Sequence, residues 1–287
     1  MKRLVLITAA LALLASCAPK PVQKVMARFV PERADDFAWE NDCIAYRAYG
    51  EALETLNPGG MISPGFDVWV KNVDTLVVDQ RYKDDLENHI SYHKDHGNGK
   101  DCYKVGVTLG GGASSPLIGG KLCFPATNFR GSEVLESSPE KVVFVLSYPQ
   151  WEAEGYKISL EKKITVCAGS HFCYAEDTYS FEGPCDSLVI AAGIVRHDVL
   201  CESAVEDGFA IWEKASDTGA EPEDSCIGLA VKLPGASFVG LSEDGTHSIC
   251  TKAVKSGEPF AYWFGSCWSK APGTESAEAW FDMLAEL

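Results

Sequence analysis

The chain has 287 residues, 46% hydrophobic and 23% charged, with 41 acidic against 25 basic residues and a formal charge of −16. That length permits one large domain or two small ones. The lack of a segregated basic block argues against a nucleic-acid partner, and no apolar run is long enough to span a bilayer.

The N-terminus reads as an export signal. Met1-Lys2-Arg3 is basic, a short apolar run follows, and Leu14-Ala15-Ser16-Cys17 has the form of a bacterial lipobox. Residues 1–16 are therefore expected to be a lipoprotein signal peptide. Cys17 becomes the lipidated residue and residues 17–27 a tether containing Pro19 and Pro21. This places the chain in the bacterial cell envelope, lipid-anchored, on the periplasmic side or at the outer-membrane surface. Residues 28–287 remain for a single β-sandwich domain. Ten further cysteines, none in a CxxC spacing, suit an oxidising compartment and predict disulfides. Cys167 and Cys173, flanking Ala168-Gly169-Ser170-His171, are a candidate pair across a hairpin.

Downstream the pattern is one of short strands. Taking Trp39–Tyr49 as extended sets Arg47 on the face of Trp39 and Asn41. A short helix is expected at Tyr49–Leu56. Phe66–Lys71 alternates, with Asp67, Trp69 and Lys71 on one face and Phe66, Val68 and Val70 on the other. The polar stretch from Arg81 to Tyr103 reads as a long exposed loop. Gly106–Gly120 is glycine-rich but lacks the Lys-Ser/Thr ending of a phosphate loop, which argues against nucleotide binding. Lys141–Leu146 is nearly continuously apolar, as in a strand buried on both faces. Tyr156–Val166 alternates. Ser187–Val195, Gly208–Glu213, Ile227–Lys232, Ala236–Leu241, His247–Val254 and Phe260–Gly265 follow as strands between Gly, Pro, Asn and Asp turns. Ser276–Leu287 places Ala277, Trp280, Phe281 and Leu284 at helical spacing, with Glu275 and Glu278 at the positive end of the dipole. Many short strands and few helical periods give an all-β sandwich or barrel with a terminal helix.

Residues that carry chemistry concentrate between 81 and 103. Arg81, Lys83 and Lys94 can hold an anion. His93 and His96 titrate near neutrality and can pass protons. Tyr82, Tyr92 and Tyr103 are further candidate acids or bases. His93, Asp95 and His96 are also a candidate site for a divalent ion, and a solvated loop without a role is the bland alternative. Arg196-His197-Asp198 is a second candidate, a charged triplet ending an apolar strand. Trp39, Trp69 and Trp263, with Asn41, Lys71 and Arg47, are the residue types of a sugar site. There, aromatic faces meet C–H-rich rings and polar groups meet hydroxyls. No GxSxG, HExxH, EF-hand or Rossmann pattern is present.

Ala38-Trp39-Glu40-Asn41-Asp42, Asp67-Val68-Trp69-Val70-Lys71 and Tyr92-His93-Lys94-Asp95-His96-Gly97 together resemble a family of exported bacterial proteins known as a domain of unknown function. Ala191–Val195 and Lys255–Phe260 extend the resemblance, which runs from about Phe29 to Trp280. It implies an all-β, galactose-mutarotase-like antiparallel β-supersandwich with a short C-terminal helix. It also implies polysaccharide degradation, because relatives include ulvan-type oligosaccharide dehydratases acting on terminal uronic acids. The expected reaction is elimination of water from a terminal uronate. His93 or Tyr92 would act as base and His96 or Tyr103 as acid, with Arg81, Lys83 or Arg47 as the cation. Trp39, Asn41, Trp69, Lys71, Arg196, His197 and Trp263 would line the substrate. The expected partners are a uronate-containing oligosaccharide and, through the lipid, a membrane. No diffusible cofactor is required, though a divalent ion could replace the cation. A sugar mutarotase or epimerase using a His/Glu pair, and a non-catalytic carbohydrate-binding lipoprotein, remain as alternatives.

Overall fold

A computed structural model describes residues 21–215 and 225–287. The lipobox and Cys17 lie outside the described residues. In chain order the first strands are β1 (Val25–Val30), β2 (Asp36–Asn41), β3 (Ala45–Ala48) and β4 (Asp67–Val70), followed by α1 (Val78–Asn88) and β5 (Lys100–Asp101). Next come β6 (Gly111–Ile118), β7 (Lys121–Leu122), β8 (Gly131–Ser137), β9 (Lys141–Ala153), β10 (Tyr156–Cys167) and β11 (Phe172–Glu182). The last are β12 (Ser187–Val195), β13 (Val199–Val205), β14 (Gly208–Lys214), β15 (Cys226–Lys232), β16 (Phe238–Leu241), β17 (His247–Lys255), β18 (Pro259–Trp268) and α2 (Ala277–Glu286). Val25, Met26 and Ala27, expected to belong to the tether, lie in β1.

Three sheets result: β1-β2-β3-β4-β5, β13-β14-β15-β18-β11-β10-β9-β8, and β16-β17-β12-β6-β7. The strand pairs within them are antiparallel. The fold is therefore the all-β sandwich with a short C-terminal helix that the alternation predicts. One apolar cluster draws on all three sheets, including Phe37 and Val68 from the first, Phe144 and Phe264 from the second, and Ile190 and Ile194 from the third. Its aromatic rings interlock: Phe37 lies 4.7 Å from Phe144, and Phe66 5.0 Å from Phe264. Each such ring contributes about 1.5–3 kcal/mol on burial.

The face assignment of Phe66–Lys71 holds. Phe66, Val68 and Val70 enter this core, while Trp69 turns to the other side and packs under α1 with Tyr82. The long loop expected from Arg81 to Tyr103 holds for residues 89–99 only, because Arg81, Tyr82 and Lys83 sit on α1 and Lys100–Asp101 form β5. That helix has no side-chain N-cap of its own. The Glu40 carboxylate, from β2, accepts the Val77 and Val78 backbone N–H groups at 2.9 and 2.8 Å, doing a cap's work from a distant strand. Trp39–Tyr49 is a hairpin, not one strand. Trp39 pairs with Tyr46 and Ala38 with Arg47, so Arg47 lies on the face opposite to Trp39. In β9, Val142, Phe144 and Leu146 point inward while Val145 is half-exposed, so one face is drier than the other.

The expected Cys167–Cys173 disulfide is absent, and both thiols are free. The β10–β11 register pairs Thr165 with Tyr174. Continuing it sets Cys167 opposite Phe172 and Cys173 opposite Val166, one step apart and on opposite faces. Cys167 is accordingly exposed and Cys173 buried.

Candidate functional site

The first sheet brings charged residues from separate strands to its α1-facing side. Arg47 on β3 pairs with Asp67 on β4, and Asp101 follows on β5. Arg47 Nε donates to Asp67 at 2.6 Å and Nη2 to Asp101 at 3.0 Å, and Nη1 lies 3.5 Å from Asp36. Its guanidinium stacks 5.1 Å from the Trp69 ring and 5.5 Å from the Tyr49 and Tyr92 rings. Burial opposes the charge, but Asp67, Asp101 and Asp36 outweigh it and hold Arg47 well above its ordinary pKa. Asp36 moves the other way. Burial raises its carboxyl to about 6, against the pull of Arg47 and Arg33.

Tyr92 and His93 sit at the edge of this cluster. The Tyr92 hydroxyl oxygen accepts from Arg47 Nη1 at 3.3 Å and from Arg33 Nε at 3.4 Å. His93 Nδ1 lies 3.3 Å from the Asp101 carbonyl and 3.6 Å from its carboxylate. A carbonyl only accepts, so Nδ1 is the donor nitrogen, and Nε2 is the one left free of this contact. The His93 side chain is 46% exposed. The turn beyond is tight, with Asp95 Oδ1 accepting the Gly97 and Gly99 N–H groups at 2.8 and 3.0 Å.

Arg81 lies beneath this turn and is only 5% exposed. Its Nη2 donates to the Val70 and Asn98 carbonyls at 3.0 and 2.6 Å, while Nε and Nη1 are buried without a partner. Burial lowers its pKa to about 10, despite the pull of Glu40, Asp101 and Asp95. Gly99 makes the close approach feasible. At φ +101 it has no side chain, and a Cβ there would come within 2.7 Å of Arg81 Nη2. Arg81 lines a cavity of about 30 Å³ together with Tyr92, Lys94, His96 and Asp84. That is room for little more than one water.

Other expected contributors lie elsewhere. The Tyr103 hydroxyl is buried between the Gly110 and Val195 carbonyls, at 3.1 and 3.0 Å, and is no proton donor to a ligand. His96 Nε2 lies 3.1 Å from the Ser91 carbonyl, and Lys83 is exposed on α1. With His93, Asp95 and His96 each turned to other partners, the ion site expected from their spacing is not formed. Among the described residues no three His, Cys, Asp or Glu side chains gather as a metal-binding group. Trp39 and Trp69 are fully buried, so neither is a sugar platform. Trp263 keeps a partly open ring, 4.8 Å from Tyr174, on the opposite sheet. Asn41 is consumed by the fold, with Nδ2 on the Cys167 and Ser170 carbonyls and Oδ1 accepting from Cys43 and Ile44 N–H. Lys71 is likewise spent on Glu40 and the Asn41 and Thr75 carbonyls. Arg196 binds Glu202 and Ser248.

His197 has both nitrogens bound, Nδ1 to Glu213 and Nε2 to the Lys104 carbonyl, each at 2.8 Å. Burial works against its charge, but these partners prevail and its pKa is raised. Neither ring nitrogen of His197 is therefore left to reach a ligand. Spacing missed Arg33, Asp36 and Asp67. They come from one turn and two strands, and only the hairpin pairings bring them to Arg47 and Asp101.

A family model described as "Domain of unknown function (DUF4861)" matches residues 13–287. An uncharacterized protein of Formosa agariphila is 27% identical over 274 residues, which are 91% of this chain and 66% of that protein, so the chain spans slightly less than two thirds of its relative. Among solved structures, a GH36 α-galactosidase of Geobacillus stearothermophilus in complex with 1-deoxygalactonojirimycin is 8% identical with a TM-score of 0.35, covering 81% of this chain and 40% of its own. The same enzyme with raffinose gives 9%, 0.34, 81% and 40%.

Proposed function

The chain belongs to the DUF4861 family, and on that footing we propose that it is an exported enzyme of polysaccharide breakdown that eliminates water from the terminal uronic acid of an oligosaccharide. One observation carries the reading. A guanidinium 95% buried, with two N–H groups left unpaired, lines a cavity of about 30 Å³ beside Tyr92, Lys94 and His96. A hollow of that size takes one small group and not a sugar ring. Its lining sets the cations Arg81 and Lys94 against the single carboxylate of Asp84, which leaves a net positive charge suited to a small anion such as a carboxylate.

With the uronate carboxylate anchored at Arg81, the charge that develops as C5 loses its proton is offset. The ring then lies outside the cavity, over the half-open His93. His93 Nε2 takes the C5 proton. Tyr92, whose oxygen already accepts from two guanidiniums, gives its own proton to the departing 4-hydroxyl. The C5–H electron pair becomes the C4–C5 double bond, the C4–O bond breaks, and water leaves. The lipobox supports an envelope location anchored through Cys17.

The test is a panel of uronate-ended oligosaccharides followed by mass and by the ultraviolet absorbance of the unsaturated product. Loss of one water by the wild type, abolished in His93→Ala with binding retained, is the expected result. Binding with no turnover would make the protein a carbohydrate-binding lipoprotein. Interconversion without mass change would make it a mutarotase or epimerase.

A further inference from the structure

We propose a second ligand site, a trough on the outer face of the sheet β16-β17-β12-β6-β7 that binds neutral sugar units of an oligosaccharide. It shares no residue with the Arg81 cavity and does not rest on the reaction proposed there. The trough has two adjoining lobes of about 500 and 280 Å³, joined at Gly120, Ser242 and Glu243. Together they exceed the lower bound for a small-molecule site. The floor is apolar: Leu117, Leu122 and Phe124 pack over Leu109, Ala191 and Ile249, and Phe238, 47% exposed, lines the second lobe.

Three polar side chains line the trough, a buried His247 and the exposed Glu243 and Lys121. His247 is 4% exposed. Its Nε2 accepts the Leu109 N–H at 3.3 Å, which puts the proton on Nδ1, and Nδ1 has no hydrogen-bond partner. Burial, with His197 nearby and only Asp244 opposing, lowers its pKa to about 4, so it stays a neutral donor at ordinary pH. The Glu243 carboxylate lies against Gly120, where a Cβ would come within 2.2–2.3 Å of it, and φ is +80. Among the described residues neither Glu243 nor the Lys121 ammonium has a side-chain hydrogen bond or ion pair. Asp244, by contrast, is held by Ser242 Oγ and Thr246 N–H at 2.7 and 3.0 Å.

The ligand class follows from these groups. The trough lining has two carboxylates, one ammonium and a neutral imidazole, so it repels a uronate. A neutral donor, a free acceptor and flat apolar ground match the hydroxyls and C–H face of a neutral pyranose. The two lobes give room for more than one ring.

The test titrates the full chain calorimetrically with cellotetraose, xylotetraose and mannotetraose, and with trigalacturonate as the anionic control. The expected result is that a neutral tetrasaccharide binds the wild type and Arg81→Met equally, and binds Glu243→Gln and Phe124→Ala roughly tenfold more weakly. Near-ultraviolet circular dichroism checks that both trough variants fold. The proposal is overturned if no neutral tetrasaccharide binds, if both folded variants bind as the wild type does, or if only trigalacturonate responds to them. Loss of turnover in His93→Ala with trough binding intact separates this site from the reaction.

Discussion

Replacing Arg81 by Met separates its two roles. Burial lowers this guanidinium to about 10 from an ordinary value of roughly 12.5, which disfavours the charged form in the fold by about 3 kcal/mol. Met fills similar length without charge, so that cost disappears. Against this stand two lost hydrogen bonds, to the Val70 and Asn98 carbonyls, at about 1 kcal/mol each and somewhat more for a charged donor. The sum is near zero or slightly favourable, so Arg81→Met is expected to unfold in urea within about 1 kcal/mol of the wild type. Binding of a uronate-ended oligosaccharide, read by calorimetry, is expected to fall by roughly two powers of ten with the loss of a charged pair. A variant destabilised by several kcal/mol that still binds the uronate would refute the reasoning and make Arg81 a structural strut.

Three further outcomes follow from the same geometry. Asn41→Ala removes four hydrogen bonds and is expected to lose roughly 3 kcal/mol in urea unfolding while leaving oligosaccharide binding unchanged. Lys162→Met strips the buried 2.6 Å pair with Asp177, costing roughly 3–5 kcal/mol, and the further change Asp177→Leu is expected to recover much of it. His247 has a folded pKa of about 4, below its unfolded value near 6.5, so the unfolded chain takes the proton first. Its stabilising contribution is full above that unfolded value and is lost as pH falls toward 4. Relative to His247→Gln, the wild type is expected to lose about 3 kcal/mol between pH 7 and 4. Parallel urea midpoints for the two chains across that range would contradict the assignment.

The strands were legible because alternation survives in a half-buried sheet. Phe66–Lys71 shows both faces as the period of two assigns them. α1 was not legible. Its residues are mostly polar, so it carries a weak apolar stripe, and its cap is Glu40, a carboxylate on β2. Trp39 and Trp69 could not be told from platforms, since burial depends on what covers a ring and the sequence does not show α1 lying over Trp69. The even cysteine count suggested bridges, but pairing depends on register, which sets Cys167 and Cys173 on opposite faces. At the candidate site, Arg81, Tyr92 and His93 were found because they are close together in the chain. Arg33, Asp36 and Asp67 were missed because their proximity to Arg47 exists only after the hairpins form.

The most direct measurement uses a uronate-ended oligosaccharide deuterated at C5. The expected product is lighter by the mass of one HDO and forms more slowly than from the undeuterated sugar, with both effects absent in His93→Ala. A product that keeps its deuterium, or no change of mass at all, would contradict it.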